Sequence, residues 1–410
     1  MILINIQQEA LYVHRQLRGK IDIVPKRPFR DQHQLSVLYT PGVAAPCLEI
    51  SRNTELVYDY TGKGNMVAIV TNGTAVLGLG DIGPEAALPV MEGKALLFKS
   101  FANVNAFPIL LASRNVDEIV QAIQLMAPSF GGINLEDIAA PACFEVERRL
   151  KESLDIPVFH DDQHGTAIVV AAGLLNALKL TGRSITDIRV VLNGAGAAGM
   201  ATARLFLRLG VTRLLLCDRK GVIYPERLEG MNPYKQEMAK RSNPQGTCGT
   251  LKDALRGADV FVGVSQADTV TRDMVRSMAP DPIVFALANP EPEIMPEDAR
   301  DAGAAVVATG RSDCPNQINN VLAFPGIFRG ALDVRARDIN GEMKVAAVRA
   351  IADLVGSELS PEYIIPRPFD KRVVEAVARA TSKAASESDV ARAGKHIPGR
   401  SFALSGMVGG

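Results

Sequence analysis

The stretch "DIRVVLNGAGAAGMATARLFLRLGVTRLLLCDRKG", Asp187 to Gly221, decides the fold. An apolar β-branched run, Val190-Val191-Leu192, leads into Gly194-Ala195-Gly196-Ala197-Ala198-Gly199. A helical pattern and a second apolar run, Leu214-Leu215-Leu216, follow. Strand, G-x-G-x-x-G turn, helix, strand is the context in which this glycine spacing means dinucleotide binding. The first glycine permits the turn, the second lets backbone N–H groups approach a pyrophosphate, and the third lets helix and strand pack closely. The second strand ends at Asp218, roughly twenty residues beyond the last glycine, where a ribose-binding acid belongs. Arg219 and Lys220 come next, and guanidinium or ammonium groups suit a 2′-phosphate. NAD, held through Asp218, and NADP, held through Arg219 and Lys220, therefore both stay open.

Outward from this unit the alternation continues on both sides. Downstream, "ADVFVGVS", "PIVFALANP" and "AAVVATG" read as further strands, and "AVRAIADLV" and "KRVVEAVARATSKAA" carry apolar positions at helical spacing. Upstream, residues 7–18 read as a helix, followed by a proline-rich arm. "MVAIVTNGTAVLGLGDIG" shows two β-rich runs around Asn72-Gly73, a hairpin signal. A helical segment with Lys94 at its centre follows. "AFPILL", "FGGINLED" and "IPVFH" then read as strands separated by helices, which is the grammar of a parallel sheet. The expectation is an α/β chain: an arm (1–40), an N-terminal α/β substrate and metal domain (41–161), a Rossmann-type doubly wound domain (162–318), and a helical C-terminal segment (319–410) that returns to the first domain.

The 410 residues are enough for two domains. Lys plus Arg and Asp plus Glu number 45 each, so nothing points to a polyanionic partner such as nucleic acid. Five scattered cysteines without a CxxC pair favour a reducing compartment over a disulfide framework. The N-terminus is too broken by charge for a signal peptide. The longest apolar run, "TAIVVAAGLLNAL", reads as too short to span a bilayer. A cytoplasmic protein without a membrane partner is the default expectation.

Two pairs of acids stand at strand ends: Glu136-Asp137 after "GGINL" and Asp161-Asp162 after "IPVFH". Strand ends of a parallel sheet gather on one edge, where ligands bind. Two carboxylate pairs on one rim repel unless a cation lies between them. Oxygen ligands suit Mg²⁺ or Mn²⁺. The alternative has Asp161 or Asp162 capping a helix that starts near Gly165. His160 and His164 read as packing or supporting groups, because hard cations prefer oxygen.

The set "LYTPGVAAPCLEI", "TNGTAVLGLGDIGPEAALPVMEGKALLFK", "INLEDIAAPACFEVE", "FHDDQHGTAIV", "GAGAAG", "ALANPEPEI", "GRSDCPNQINNVLAFPGIFRGALD" and "EYIIPRPFD" resembles the malic enzymes, in their short bacterial form without a phosphotransacetylase-like extension. The resemblance runs from about residue 10 to about 390. It implies oxidative decarboxylation of malate to pyruvate with reduction of NAD or NADP and help from Mg²⁺ or Mn²⁺. It implies Tyr39 as general acid, Lys94 as general base with Asp161 as its helper, and Glu136, Asp137 and Asp162 as metal ligands. Asn289 is implied beside nicotinamide and substrate, and Asn320 on a substrate carboxylate. A homodimer is implied, with the arm around Tyr39 reaching toward a neighbour's site. Three departures stand out: Ala75 where larger members carry a substrate-gripping arginine, Asn105 where an aspartate is expected, and Cys314 where an aromatic is common.

Overall fold

The computed structural model describes residues 6–392 apart from Phe29 and Leu77. The ends of the arm and of the C-terminal segment, 1–5 and 393–410, lie outside the described residues. Four short strands form the first sheet: β1 (Met66–Thr71), β2 (Asn105–Leu110), β3 (Gly132–Leu135) and β4 (Val158–His160). Their order is β2-β1-β3-β4, all parallel. Each crossover is a helix: Pro84–Ala102, Val116–Met126 and Ala142–Ser153. Val67 to Val70 of β1 are fully buried, as expected of a parallel strand covered on both faces.

The Asn72-Gly73 hairpin does not form. After β1 the chain swings out through residues 74–83 and comes back to its starting point, where Ile82 and Gly83 donate their N–H groups to the Gly73 carbonyl at 3.1 Å each. Gly73 has φ +66°, and a Cβ there would lie 2.1 Å from the Gly83 carbonyl oxygen. The glycine thus serves the neck of a loop. A hairpin partner would have had to displace β2 or β3, which already flank β1.

The second sheet contains β5 (Arg189–Asn193), β6 (Arg213–Asp218), β7 (Gly221–Val222), β8 (Val260–Gly263), β9 (Ile283–Ala286) and β10 (Val306–Thr309). Its order is β10-β9-β8-β5-β6-β7. Chain order reverses beside β5, the switch point of a doubly wound sheet. All pairs are parallel except β6 with the short edge strand β7.

The helix Asp161–Thr181 links the two sheets. It starts earlier than Gly165, and neither Asp161 nor Asp162 caps it. The cap is His160, whose ring accepts from the Gln163 N–H at 3.4 Å, which leaves both aspartates in the first turn. The apolar run sits inside a 21-residue helix that is long and apolar enough, by length and composition alone, to cross a membrane. Two-thirds of its apolar window is nevertheless buried inside the protein, against the helices Ala197–Leu209 and Gly341–Asp353.

Helices Phe324–Asp333, Gly341–Asp353 and Arg372–Glu387 pack on one another, and the first reaches the Lys94 helix. There Phe98 meets Phe324 and Phe328 edge-on, with ring centroids 4.8 and 5.3 Å apart. Such edge contacts add about 0.5–1.5 kcal/mol beyond burial. The arm is different. Its helices Ile6–Leu17 and Gln32–Leu38, and the helix Ala44–Arg52 that follows, bury no residue.

Candidate active site

Strand register assembles the acids. Leu135 of β3 pairs with His160 of β4, so the next residues along, Glu136 and Asp161, emerge side by side. Both are buried, as is Asp137, while Asp162 is half-buried. Lys94 enters from the helix Pro84–Ala102 and is itself only 6% exposed. Its ammonium donates to Glu136 Oε1 at 2.9 Å and pairs with Asp161 Oδ2. The Phe324 ring lies 4.0 Å beneath it. Asn320 Nδ2 donates to the same Asp161 oxygen at 2.5 Å, and Asn134 Nδ2 donates to Glu136 Oε2 at 2.8 Å.

Asp137 has φ +53°, in the left-handed region, which Asp tolerates better than most residues. The contacts that hold it there are clear. Its N–H donates to Asp162 Oδ2 at 2.8 Å, and its carbonyl accepts from Thr74 and Ala75 at 3.1 and 3.0 Å. Ala75 thus contributes backbone to the site in place of a side chain. Asn105 accepts from Lys99 at 2.9 Å and makes no bond to Lys94, so the unexpected amide is spent on a neighbouring surface lysine.

Electrostatics follow from this crowding. Burial pushes the Asp161 carboxyl up to about 8, with Glu136 and Asp162 adding repulsion against the opposing pull of Lys94. Burial and then Asp162 push Asp137 up to about 9. Glu136 and Asp162 are raised as well, chiefly by burial. Burial disfavours the charged Lys94, yet the Asp161 and Glu136 carboxylates outweigh it and hold the amine above its ordinary range.

The donor set fits a hard divalent cation. Asp137 Oδ2 and Asp161 Oδ1 are buried without a hydrogen-bond partner, and mutually repelling carboxylates gain from a shared cation. The cage is not closed as it stands. Among the described residues no three His, Cys, Asp or Glu groups converge as a ready-made metal cluster, since Glu136 turns one oxygen to Lys94 and Asp162 one to the Asp137 N–H.

Tyr39 is not brought to these groups. It ends the helix Gln32–Leu38, is 64% exposed, and its hydroxyl bonds to no described residue. Asn289 follows β9, and its amide packs so close to Gly310 that a Cβ there would lie 2.7 Å away. Gly78, in the loop after β1, sits against the Asn289 backbone, with a Cβ position 3.6 Å from its carbonyl oxygen, so the loop of one sheet meets the strand end of the other.

The glycine turn divides its roles as the motif demands. Gly194 has φ +117°, and a Cβ there would lie 2.5 Å from the Val264 carbonyl oxygen. A Cβ on Gly199 would lie 1.7 Å from the Gly194 carbonyl oxygen, whereas Gly196 faces open space. Gly196 caps the helix Ala197–Leu209, with Ala197 and Ala198 in its first turn, and borders a cavity of about 800 Å³. Gly194, Ala195, Asp218, Arg219, Lys220 and Lys235 line the same cavity. A slightly larger hollow, about 880 Å³, lies between 312–317 and 358–369; Cys314 lines it, but none of the acids does.

Asp218 is fully engaged. One nitrogen of Arg227 donates to both its oxygens at 2.7 Å, Lys235 Nζ donates at 2.6 Å, and the Lys220 N–H at 2.9 Å. These four bonds exhaust a carboxylate's usual acceptor sites. The Lys220 ammonium pairs with Glu229 at 2.6 Å, whereas the Arg219 side chain bonds to no described residue. Arg227 and Lys235 carry no motif, because the chain excursion after β7 brings them back. Glu147 was equally invisible, as one acid among many on an ordinary helix. Buried, it takes His164 Nε2 at 2.8 Å and the His160 N–H at 3.3 Å, bracing the turn that presents Asp161 and Asp162.

Two family descriptions match this chain: "Malic enzyme, N-terminal domain" over residues 18–151 and "Malic enzyme, NAD binding domain" over residues 163–386.

The chain belongs to the malic enzyme family.

A bifunctional malic/malolactic enzyme of Bacillus subtilis is 62% identical over 95% of both chains. An NAD-dependent malic enzyme of Geobacillus stearothermophilus is 55% identical over 95% of this chain and 81% of its own length. An NADP-dependent malic enzyme of Rhizobium meliloti is 52% identical over 94% of this chain, which spans 53% of that relative. Among solved structures, malic enzyme from Pyrococcus horikoshii superposes with a TM-score of 0.92 at 48% identity, covering 96% of this chain and 93% of the other.

Proposed function

We propose that this chain oxidatively decarboxylates malate to pyruvate and CO₂ while reducing NADP⁺, with Mg²⁺ or Mn²⁺ at the strand-end acids. The observation that carries the chemistry is the buried Lys94 ammonium in contact with both Glu136 and Asp161. A general base must reach the hydroxyl proton and then pass it on, and Asp161 lies directly against Lys94. Lys94 first passes a proton to Asp161, and the neutral amine then takes the C2 hydroxyl proton as hydride leaves for the nicotinamide; Asp161, steadied by Asn320, holds the amine in place. Asn320 and Asn289 orient the substrate and the nicotinamide. Glu136, Asp137 and Asp162 would hold the divalent cation, which when bound supplies Lewis-acid polarisation of the C2 oxygen during loss of CO₂. Tyr39 returns a proton to C3.

Tyr39 does this across a homodimer. The arm leaves Leu11, Ile23 and Val24 more than 70% exposed, apolar surface that a second copy would cover. The nucleotide reading rests on Asp218. Arg227 is 6% exposed and stays bound, so Asp218 presents no free negative charge to a ribose, while Arg219 and Lys235 offer cations to a 2′-phosphate. The domain seam falls at residues 161–162, where β4 passes into the long helix.

The test is malate turnover with Mn²⁺, followed at 340 nm with NADP⁺ and with NAD⁺. A second reading, favoured by the malolactic activity named for the Bacillus subtilis relative, is that the same site also converts malate to lactate. Lactate formation without net NADPH separates the two.

A further inference from the structure

A third cavity, of about 420 Å³, is lined by neither the strand-end acids nor the glycine turn. It lies where the helix Ala197–Leu209 meets the first turns of the helices Asp161–Thr181 and Gly341–Asp353. Arg204, Arg208, Arg241 and Lys344 reach it, and its floor is apolar, with Ala167 and Leu205. Among the described residues no carboxylate lines it. We propose that this cavity is an anion site for a small organic acid with two negative groups, bound at the seam between the nucleotide-binding sheet and the C-terminal helices.

The charges around the cavity are under-compensated. Glu237 is shared by two guanidiniums, Arg204 at 3.4 Å and Arg241 at 3.2 Å. Arg208 pairs with Glu342. Two carboxylates therefore answer three guanidiniums. The Lys344 ammonium has no hydrogen bond or ion pair with any described residue; its one aromatic neighbour is Phe159, at 6.0 Å. The nearby acids are committed elsewhere, Glu147 to His164 and Asp338 to Lys151.

A half-buried ammonium without a partner is unfavourable unless an anion arrives. Burial, with Lys151 and Arg204 adding repulsion, pulls the Lys344 amine down to about 7, although Glu147 and Asp338 partly oppose this. A ligand with one anionic group on Lys344 and another on the Arg204–Arg241 pair answers both deficits, and its carbon body covers the alanine and leucine floor. Bare phosphate carries the charge without the apolar body. The site is also mechanically placed: His164 borders the cavity one helical turn beyond Asp161 and shares Glu147 with the His160 N–H.

The test is calorimetric titration of succinate, and separately of inorganic phosphate, into metal-free protein saturated with NADPH. NADPH occupies the cofactor cavity, and without metal the strand-end acids repel a dianion. The expected result is saturable succinate binding, weakened about ten-fold or more by Lys344→Met and by Arg241→Ala, as loss of a charge-assisted contact implies. Malate turnover with Mn²⁺ and no added anion should stay within about two-fold of the parent in both variants, as sites outside the reacting groups allow. Absence of succinate binding overturns the proposal. So does succinate affinity unchanged in both variants. Phosphate binding as tight as succinate, with the same loss in both variants, overturns the organic-acid assignment.

Discussion

The Lys94 ammonium donates to Glu136 Oε1 at 2.9 Å, and this one contact joins the base to the first acid of the β3 end. Lys94→Ala should therefore do two separable things. Malate oxidation should fall by about 10²–10⁴-fold, the range for a lost general base. The metal-free protein should also lose about 3–5 kcal/mol, as when one partner of a buried ion pair is removed. Mn²⁺ should restore much of that stability and none of the rate. Turnover at 340 nm and thermal unfolding with and without Mn²⁺ read the two effects. A variant with the parent's rate would remove Lys94 from the chemistry.

Metal and protons compete for the same oxygens. Asp161 stands at about 8 and Asp137 at about 9 in the folded, metal-free protein, against roughly 4 for an unfolded aspartate. Between those limits the folded state holds protons that the unfolded chain has released. Stability of the metal-free protein should therefore fall as pH rises through that window. Between pH 7 and 8, above the range of the histidines, each retained proton contributes a fall of about 1.4 kcal/mol per pH unit, and the Lys344 amine, protonated in the unfolded chain but not in the fold, offsets one of the two, which leaves a net fall of about 1.4 kcal/mol per pH unit. Saturating Mn²⁺ should flatten that slope, and its binding at pH 7.5 should release on the order of one proton. Calorimetry in two buffers of different ionisation enthalpy measures the release. Release of no proton would mean that Asp137 does not hold the metal.

Much of this site was legible in the residues because strand ends in a parallel sheet converge by topology alone. Glu136 and Asp161 are adjacent because Leu135 and His160 are in register, and a βαβ reading anticipates that edge without any coordinate. The glycine turn was readable for the same reason, since each glycine answers a local steric demand. What escaped were long-range returns and local rivals. Asn72-Gly73 carried a true turn signal, but neighbouring parallel strands took both sides of β1. Asp161 looked like a cap, yet His160 took that role and extended the helix. Arg227 and Lys235 reach Asp218 only through a fold-back of the chain, which neither spacing nor periodicity encodes.

That fold-back makes a prediction about the nucleotide. Lys235→Ala removes an ammonium that faces the cofactor cavity and leaves Arg227 on Asp218. The kcat/KM for NADP⁺ should drop about 10–100-fold, chiefly through KM, in line with about 1.5–3 kcal/mol for a charge-assisted phosphate contact. The value for NAD⁺ should hold or rise, because one acceptor site on Asp218 is freed for the ribose hydroxyl. Equal losses with both nucleotides would show that Lys235 supports the fold and does not read the phosphate. Arg227→Ala is the contrasting variant. Its guanidinium also bonds the Gly221, Val222 and Glu229 carbonyls, so it should lower the unfolding temperature and impair both nucleotides together.

Tyr39 tests the assembly itself. Its hydroxyl meets no described residue and its ring is mostly exposed, whereas the acids it would serve are buried behind the Lys94 helix. If the tyrosine acts on a partner's site, two inactive subunits should complement each other. In a homodimer of Tyr39→Phe and Lys94→Ala chains, one site combines the intact lysine of the first with the intact tyrosine of the second, and the other site lacks both. Random mixing at equal concentration makes about half of the dimers mixed, so about a quarter of all sites should be whole. Unfolding and refolding the mixture, then comparing turnover with either variant alone, gives the measurement. Recovery near that quarter assigns the proton to the neighbour's tyrosine. If mixed dimers form, as a differently tagged pair on a size column would reveal, and activity stays at the level of the single variants, then each subunit must supply its own Tyr39 through a movement of the arm.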